Sequence, residues 1–228
     1  MESMLKTKKQ GLLIVLSGPS GCGKNTIINK VMENNKNIWL SISCTSRLPR
    51  GEEKNGVNYY FLSREEFEND IANGEFLEYA EYSNNYYGTP KKYIKEHLDK
   101  GEDVILEIEI QGALKVKEKI KEALFIFILP PNMKELKRRL EARNTEDQEM
   151  FVMRFKIAYE EINEVSKYNY VVVNDEVDIA ARKVQAILEA ERCRVDRIEE
   201  VYLNTEEEKI HETLFSGRKE FDNSELNL

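Results

Sequence analysis

The run Ile14-Val15-Leu16-Ser17-Gly18-Pro19-Ser20-Gly21-Cys22-Gly23-Lys24-Asn25-Thr26 places a glycine, four residues and then Gly23-Lys24 directly after an apolar stretch and before a helical pattern. In a strand, loop and helix of this kind the glycines let successive backbone N–H groups curl around a phosphate. The helix N-terminus adds partial positive charge, and a lysine reaches the terminal phosphates of a nucleotide. Gly18, Pro19, Ser20, Gly21, Cys22 and Gly23 are therefore expected to form the cradle, with Lys24, Asn25 and Thr26 at the helix start. The residue after the lysine is ordinarily Ser or Thr, whose hydroxyl ligates Mg²⁺; here it is Asn25, with Thr26 one place later. A bare glycine-rich turn is the alternative, but a turn needs neither Lys24 nor so many small residues.

Stepping outward, short apolar runs recur at Leu12 to Leu16, Val104 to Ile108, Leu124 to Leu129 and Tyr170 to Val173, separated by helical patterns. Continuous hydrophobicity suits strands buried on both faces, as in a parallel sheet covered by helices, and Ile38 to Ile42 is a more polar fifth strand. The sequence thus predicts an α/β three-layer fold with a parallel five-stranded sheet. From about 43 to 101 the texture turns aromatic and polar, which reads as an inserted mixed α/β lobe. Within it, Ser63 and Glu66 form a capping box, Asn73-Gly74 stops a short helix, Glu75 to Tyr82 reads as a strand, and Ser83-Asn84-Asn85 turns out of it. A Lys/Arg-rich helix from Met133 to about Arg143 precedes the polar link Asn144 to Gln148, and a second helix runs to about Lys167. Such a basic segment suits a phosphate-closing lid at about 138 to 155, although a charge run also reads as a solvated helix face.

The chain has 228 residues, of which 41% are hydrophobic and 33% charged, a composition that folds; the expected domain spans 10 to 193. A polar extension, partly helical and outside the core, is expected over 194 to 228. The net charge of −8 argues against a phosphate-tracking nucleic-acid surface. Cys22, Cys44 and Cys193 are odd in number and far apart, so neither a disulfide framework nor a zinc site is suggested and a reducing cytosol fits. Neither a targeting signal nor a membrane span is read, which makes the cytoplasm the expected location. The sequence leaves monomer and homodimer open.

Beyond the phosphate loop, Ser41 to Glu52 contains Ser43-Cys44-Thr45-Ser46-Arg47-Leu48-Pro49-Arg50, followed by Gly56-Val57-Asn58-Tyr59. In order come Gly74-Glu75-Phe76-Leu77-Glu78-Tyr79-Ala80, Asn85-Tyr86-Tyr87-Gly88-Thr89 and Leu106-Glu107-Ile108-Glu109-Ile110-Gln111-Gly112. Ile128-Leu129-Pro130-Pro131 and Val172-Val173-Asn174-Asp175 complete the series. Over about residues 10 to 193 this series resembles the guanylate kinases, enzymes of the P-loop nucleoside monophosphate kinase group. The resemblance implies Mg-ATP-dependent phosphoryl transfer to GMP or dGMP, giving GDP and ADP, in purine nucleotide metabolism.

Residue by residue, the resemblance gives Arg47 and Arg50 to the GMP phosphate, where guanidinium forks suit bidentate binding, with hydroxyls from Tyr59 and Tyr87. Arg47 is further expected to bridge towards the transferred group. Glu78 is the acceptor for the N1–H and exocyclic amine of guanine, with Glu109 beside the base or ribose, Glu107 also on the GMP side, and Ser43 and Thr89 donating to O6. A site built this way rejects the wrong base by about 10⁴-fold or more, since its polar groups would be left unpaired. Mg²⁺ is expected to bind through ATP phosphates and water, with Glu107 or Glu109 orienting the waters. Lys24, Arg47, Arg143 and Arg154 are the expected catalytic groups, the last two arriving with the lid. Arg139 is assigned to ATP, and Asn174 to its adenine.

Three positions depart from the family pattern: Asn25 for Ser or Gly, Asn144 for the glycine of Arg-Gly-Thr, and Glu109 for Asp. Two rivals remain at this level. One is a catalytically silent guanylate-kinase-like module that binds proteins, against which Lys24 and the arginines stand. The other is a kinase for a different nucleoside monophosphate, which would need other groups at Ser43, Glu78 and Thr89.

Overall fold

The computed structural model describes residues 5–7, 10–82, 84–142 and 148–201. The chain runs β1 (Leu5–Thr7), β2 (Leu13–Ser17), α1 (Lys24–Asn34), β3 (Ile38–Leu40), β4 (Cys44–Thr45), β5 (Tyr60–Phe61) and α2 (Arg64–Ala72). It continues through β6 (Phe76–Tyr82), β7 (Asn85–Pro90), α3 (Lys91–Asp99), β8 (Asp103–Glu107), α4 (Ile110–Lys119), β9 (Leu124–Leu129) and α5 (Met133–Glu141). Next come α6 (Gln148–Ile162), a 3-10 turn (Asn163–Lys167), β10 (Tyr170–Val173), α7 (Val177–Arg192), a second such turn (Val195–Arg197) and β11 (Ile198–Val201).

Five strands form a parallel sheet in the order β10-β9-β2-β8-β3, the α/β architecture that the apolar runs predict. Leu13, Val15, Val104, Leu106 and Phe125 share a core with Ile94 of α3 and Ala113 and Val116 of α4. The alternating residues Ile14, Leu16, Ile105, Ile126 and Ile128 are just as deeply buried, so the central strands are covered on both faces. β10 departs from that expectation. It is an edge strand in which Val171 and Val173 are 52% and 39% exposed, so an apolar run here marks a strand with one covered face. The expected strand Ile38 to Ile42 is paired only through Leu40, and the expected helix to Lys167 becomes a 3-10 turn after Ile162. The buried Asp103 accepts the Leu12 N–H at 2.8 Å and so anchors the start of β2 beside β8.

Between β3 and β8 the chain builds a second sheet, ordered β5-β4-β7-β6, in which only β4 and β5 run parallel. The capping box forms as its sequence predicts: the Ser63 side chain accepts the Glu66 N–H while Glu66 accepts the Ser63 N–H. The helix that it starts delivers the fully buried Phe67, stacked on Phe76 at 4.3 Å and on Tyr86 at 5.3 Å between centroids. Gly74 follows the helix at φ 70°, a conformation that glycine adopts without strain. Ser83 of the expected turn lies outside the described residues.

Residues 9–187 form one unit and hold both sheets. In the other unit β1 and β11 pair antiparallel, so part of the expected polar extension is strand, and Glu191 is buried against Arg194 (3.4 Å) and Arg197 (3.6 Å). Residues 202–228 of the expected extension lie outside the described residues. Among the described residues no helix is long and apolar enough to cross a membrane.

Phe67→Ala removes the ring on which this small lobe closes, and is expected to cost about 3–5 kcal/mol in chemical denaturation. A loss under about 1 kcal/mol would mean that Phe67 does not organise the lobe.

Candidate active site

The glycine loop joins β2 to α1 at the C-terminal edge of the parallel sheet, where open α/β sheets bind ligands. Gly18, Gly21 and Gly23 have φ of 156°, 83° and 90°. Two of them are also sites of close approach: a Cβ on Gly18 would lie 2.2 Å from the Ile128 carbonyl oxygen, and one on Gly23 2.4 Å from Asn174 Nδ2. The loop is held from three sides. Cys22 N–H donates to the Pro19 carbonyl at 3.1 Å, Lys24 Nζ donates to the Gly18 carbonyl at 2.8 Å, and Ser17 Oγ donates to the Ile108 carbonyl at 2.9 Å. No acidic side chain occupies the first turn of α1, so its positive end is left for an anion.

Arg139 and Asn174 meet behind this loop. Asn174 Nδ2 donates to the Cys22 carbonyl at 2.7 Å, while Arg139 donates to that carbonyl at 3.4 Å and to the Asn174 carbonyl at 3.0 Å. Glu135 accepts from Arg139 Nε at 2.8 Å and is pushed down to about 2 by Arg138 and Arg139. Asn174 is 2% exposed, yet its Oδ1 has no hydrogen-bond partner among the described residues.

Glu107 ends β8 in register with Leu16, and Glu109 is the residue before α4. In the orientation that satisfies both groups, the Asn25 amide nitrogen donates to the Glu107 carboxylate oxygens at 3.0 and 2.5 Å. Burial raises the Glu107 carboxyl above its ordinary range, Lys24 opposes this and Glu109 adds to it. Thr26, exposed on α1, has no comparable contact here.

In the second sheet, β6 and β7 pair Glu78 with Thr89, and Thr89 Oγ1 donates to Glu78 Oε1 at 2.6 Å. Glu78 is 9% and Thr89 1% exposed, unlike the solvated face that a glutamate ordinarily marks. Burial raises the Glu78 carboxyl, opposed by the Thr89 hydroxyl and by Lys115 and Lys119 of α4. Gly112 makes room: a Cβ there would lie 3.1 Å from Glu78 Oε2. Ser43 sits beside β4, its carbonyl accepting the Tyr60 N–H at 2.9 Å. Arg47 follows β4, its guanidinium 5.3 Å from the Tyr59 ring centroid, and the Tyr59 and Tyr87 rings stand 6.0 Å apart. Arg50 is exposed at the tip of the same loop.

The structure thus groups Gly18 to Asn25 with Glu107, Arg139 and Asn174, and separately groups Arg47 with Tyr59 and Tyr87, and Glu78 with Thr89. Arg154 is part-exposed on α6, while Arg143 and Asn144 lie outside the described residues. Two carboxylates went unread in the sequence. Glu53 pairs with Arg47 at 2.9 Å, a contact six residues apart within a loop, where no periodicity signals it. Glu161 of α6 interacts with the Ser20 N–H and with Lys24, and burial and Glu109 push it up to about 7; a glutamate in a helix gives no sign of this.

A family model described as guanylate kinase matches residues 10–191. A guanylate kinase of Clostridium tetani is 58% identical over 207 residues, 91% of this chain and 99% of the relative. One of Clostridium perfringens is 54% identical over 215 residues, 94% and 100% of the two chains. Among solved structures, guanylate kinase from Anaplasma phagocytophilum superposes with a TM-score of 0.69 at 37% identity, over 93% of this chain and 98% of the other.

Glu161 supplies a pH test. Its carboxyl titrates at about 7 in the fold against an ordinary 4.5, so the native state holds the proton more tightly and stability falls as pH rises between those values. Glu161→Gln is therefore expected to gain on the wild type from pH 4.5 to 7, reaching about 1 kcal/mol after solvent screening, with no further gain above. Unfolding free energies from pH 4 to 8 check this; a pH-independent difference would contradict it.

Proposed function

The chain belongs to the guanylate kinase family, and from that premise we propose how its own residues serve the reaction. The protein is a nucleoside monophosphate kinase: the terminal phosphoryl group of ATP passes to a phosphate oxygen of GMP, giving ADP and GDP. Such a transfer asks for positioning and positive charge around the moving group, and no side chain need form a covalent intermediate.

In this reading the backbone N–H groups from Gly18 to Gly23 hold the ATP phosphates and Lys24 Nζ leaves the Gly18 carbonyl for them. Asn174, next to the loop and bonded to the Cys22 carbonyl, is assigned to the adenine of ATP. Arg139, which bonds both neighbours, keeps that corner in place and adds charge. Arg143 and Arg154 are assigned to the closing lid.

For the acceptor, Arg47, Arg50, Tyr59 and Tyr87 take the GMP phosphate while Glu78, Thr89, Ser43 and Glu109 read the base. The observation that carries the base assignment is the Glu78 carboxylate. It is buried and has Thr89 on one oxygen, and two parallel guanine N–H groups fit the acceptor capacity that remains. An intact glycine loop with its lysine weighs against a silent binding module.

The donor set also fits Mg²⁺. Its ligands would be ATP phosphates and water, with Glu107 at the end of β8 or Glu109 before α4 orienting the water. Bound there, Mg²⁺ neutralises charge on the phosphates. Asn25 donates to Glu107 and so supports a role in fixing that carboxylate, in place of the usual hydroxyl ligand. Three free thiols fit a cytosolic setting.

Two substitutions test the roles. Glu78→Gln is expected to lower kcat/KM for GMP by about 30- to 100-fold while leaving KM for ATP near wild type. A loss under threefold would move base reading elsewhere. Lys24→Ala is expected to cut kcat by about 10²-fold or more with the fold retained by circular dichroism; preserved turnover would take the lysine out of the mechanism.

A further inference from the structure

Arg47 is 9% exposed, so its charge must be matched inside the protein before any substrate arrives. Its Nη1 donates to the Leu48 carbonyl at 2.7 Å and to Glu53 Oε2 at 2.9 Å, and its Nη2 donates to Glu53 Oε1 at 3.0 Å. Glu53 also accepts the Arg50 backbone N–H at 2.8 Å, and its own N–H donates to the Arg50 carbonyl at 3.0 Å. One carboxylate therefore ties both ends of the Arg47-Leu48-Pro49-Arg50 segment.

A guanidinium carries five N–H bonds, and this arrangement uses both of those on Nη1 and one on Nη2. Left by Glu53 and Leu48 is a second edge, formed by Nε and the other Nη2 hydrogen, and the guanidinium also shares a hydrogen bond with the Tyr87 side chain. Tyr87 interacts with the guanidinium, and Tyr59 and Phe61 pack against it, their ring centroids 5.3 and 5.9 Å from Cζ. The cation is thereby held in one orientation.

We propose that Glu53 is a positioning residue for the acceptor phosphate, clamping the end of Arg47 so that the second edge is presented with Tyr59 and Tyr87 to the phosphate of GMP. This rests on the reading of Arg47 as a phosphate ligand. The opposite use of the same contact, in which Glu53 fills the fork that the phosphate needs and must be expelled, is disfavoured by two features. The second edge lets Arg47 hold both anions at once, and Glu53 has a separate task at the Arg50 backbone. Arg47 and the Arg50 N–H also keep the Glu53 carboxyl below its ordinary range, so it is ionised wherever the enzyme works.

The test is steady-state kinetics with Mg-ATP on Glu53→Gln, which keeps the shape and loses the charge and one acceptor. KM for GMP is expected to rise about tenfold, with KM for ATP within about twofold of wild type and the fold retained by circular dichroism, while the loss of the counter-charge of a buried arginine lowers the melting temperature. Glu53→Asp, which keeps the charge on a shorter arm, is expected to recover part of the loss. In an Arg47→Ala background the Glu53 substitution is expected to add less than about twofold, because it acts through that arginine. A KM for GMP that falls in Glu53→Gln would identify Glu53 as a competitor of the phosphate, and one that is unchanged would give it no part; either overturns the proposal. If Arg47→Ala itself leaves KM for GMP unaltered, the premise fails and the proposal with it, a result separate from failure of Glu53→Gln alone.

Discussion

A carboxylate taken out of water is costly unless hydrogen bonds and charge compensate for it, and the acceptor lobe is arranged around one such group. Glu78 is held by a single short bond from Thr89 across the β6–β7 pair, with Lys115 and Lys119 of α4 favouring its charged form. Those lysines also donate to the backbone carbonyls of Tyr79 (3.2 Å) and Leu77 (2.6 Å), which fixes β6 against α4. Gly112 leaves the space that the carboxylate occupies. The register of two strands, the stacking of Phe67 beneath them and a gap in one helix thus serve to keep a partly compensated charge in place. In the proposed site, guanine supplies the donors that complete it, and a base with an acceptor at N1 would worsen the deficit.

The phosphate end depends on close packing. The backbone of Gly18 runs against the Ile128 carbonyl and that of Gly23 against Asn174, so the loop follows a course open only to glycine. Ser17 links that loop to the carbonyl of Ile108, between Glu107 and Glu109, and couples β2 to the end of β8. The glycine loop and the carboxylates proposed to orient Mg²⁺ waters consequently belong to one sheet edge. Arg47 is fixed differently, by an ion pair within its own loop. The proposed substrate sites therefore differ in how they are prepared: backbone geometry for the donor, buried charge for the acceptor.

Much of this was legible in the residues, for identifiable reasons. Continuous apolar runs located the three central strands because burial on both faces leaves no polar alternation, and the Ser63/Glu66 spacing located α2 because its capping bonds are local. The same logic misjudged β10: four apolar residues look alike whether the outer face is covered or open, and the structure leaves Val171 and Val173 in solvent. The strand Ile198–Val201 was unreadable because its partner, Leu5–Thr7, lies at the far end of the chain. Glu53 and Glu161 were missed because neither an ion pair within a loop nor a helix glutamate near a glycine loop has a period or motif. Family motifs carried the proposed roles of Glu78 and Thr89, whereas their mutual hydrogen bond and their burial came only from the fold.

The central claim is that Glu78 reads both donors on the Watson–Crick edge of guanine. The most direct measurement is calorimetric titration of the enzyme with GMP and with IMP, which lacks only the exocyclic amine. Losing one donor to a buried carboxylate is expected to weaken binding by about 10- to 100-fold. Equal affinity for the two nucleotides would contradict the account.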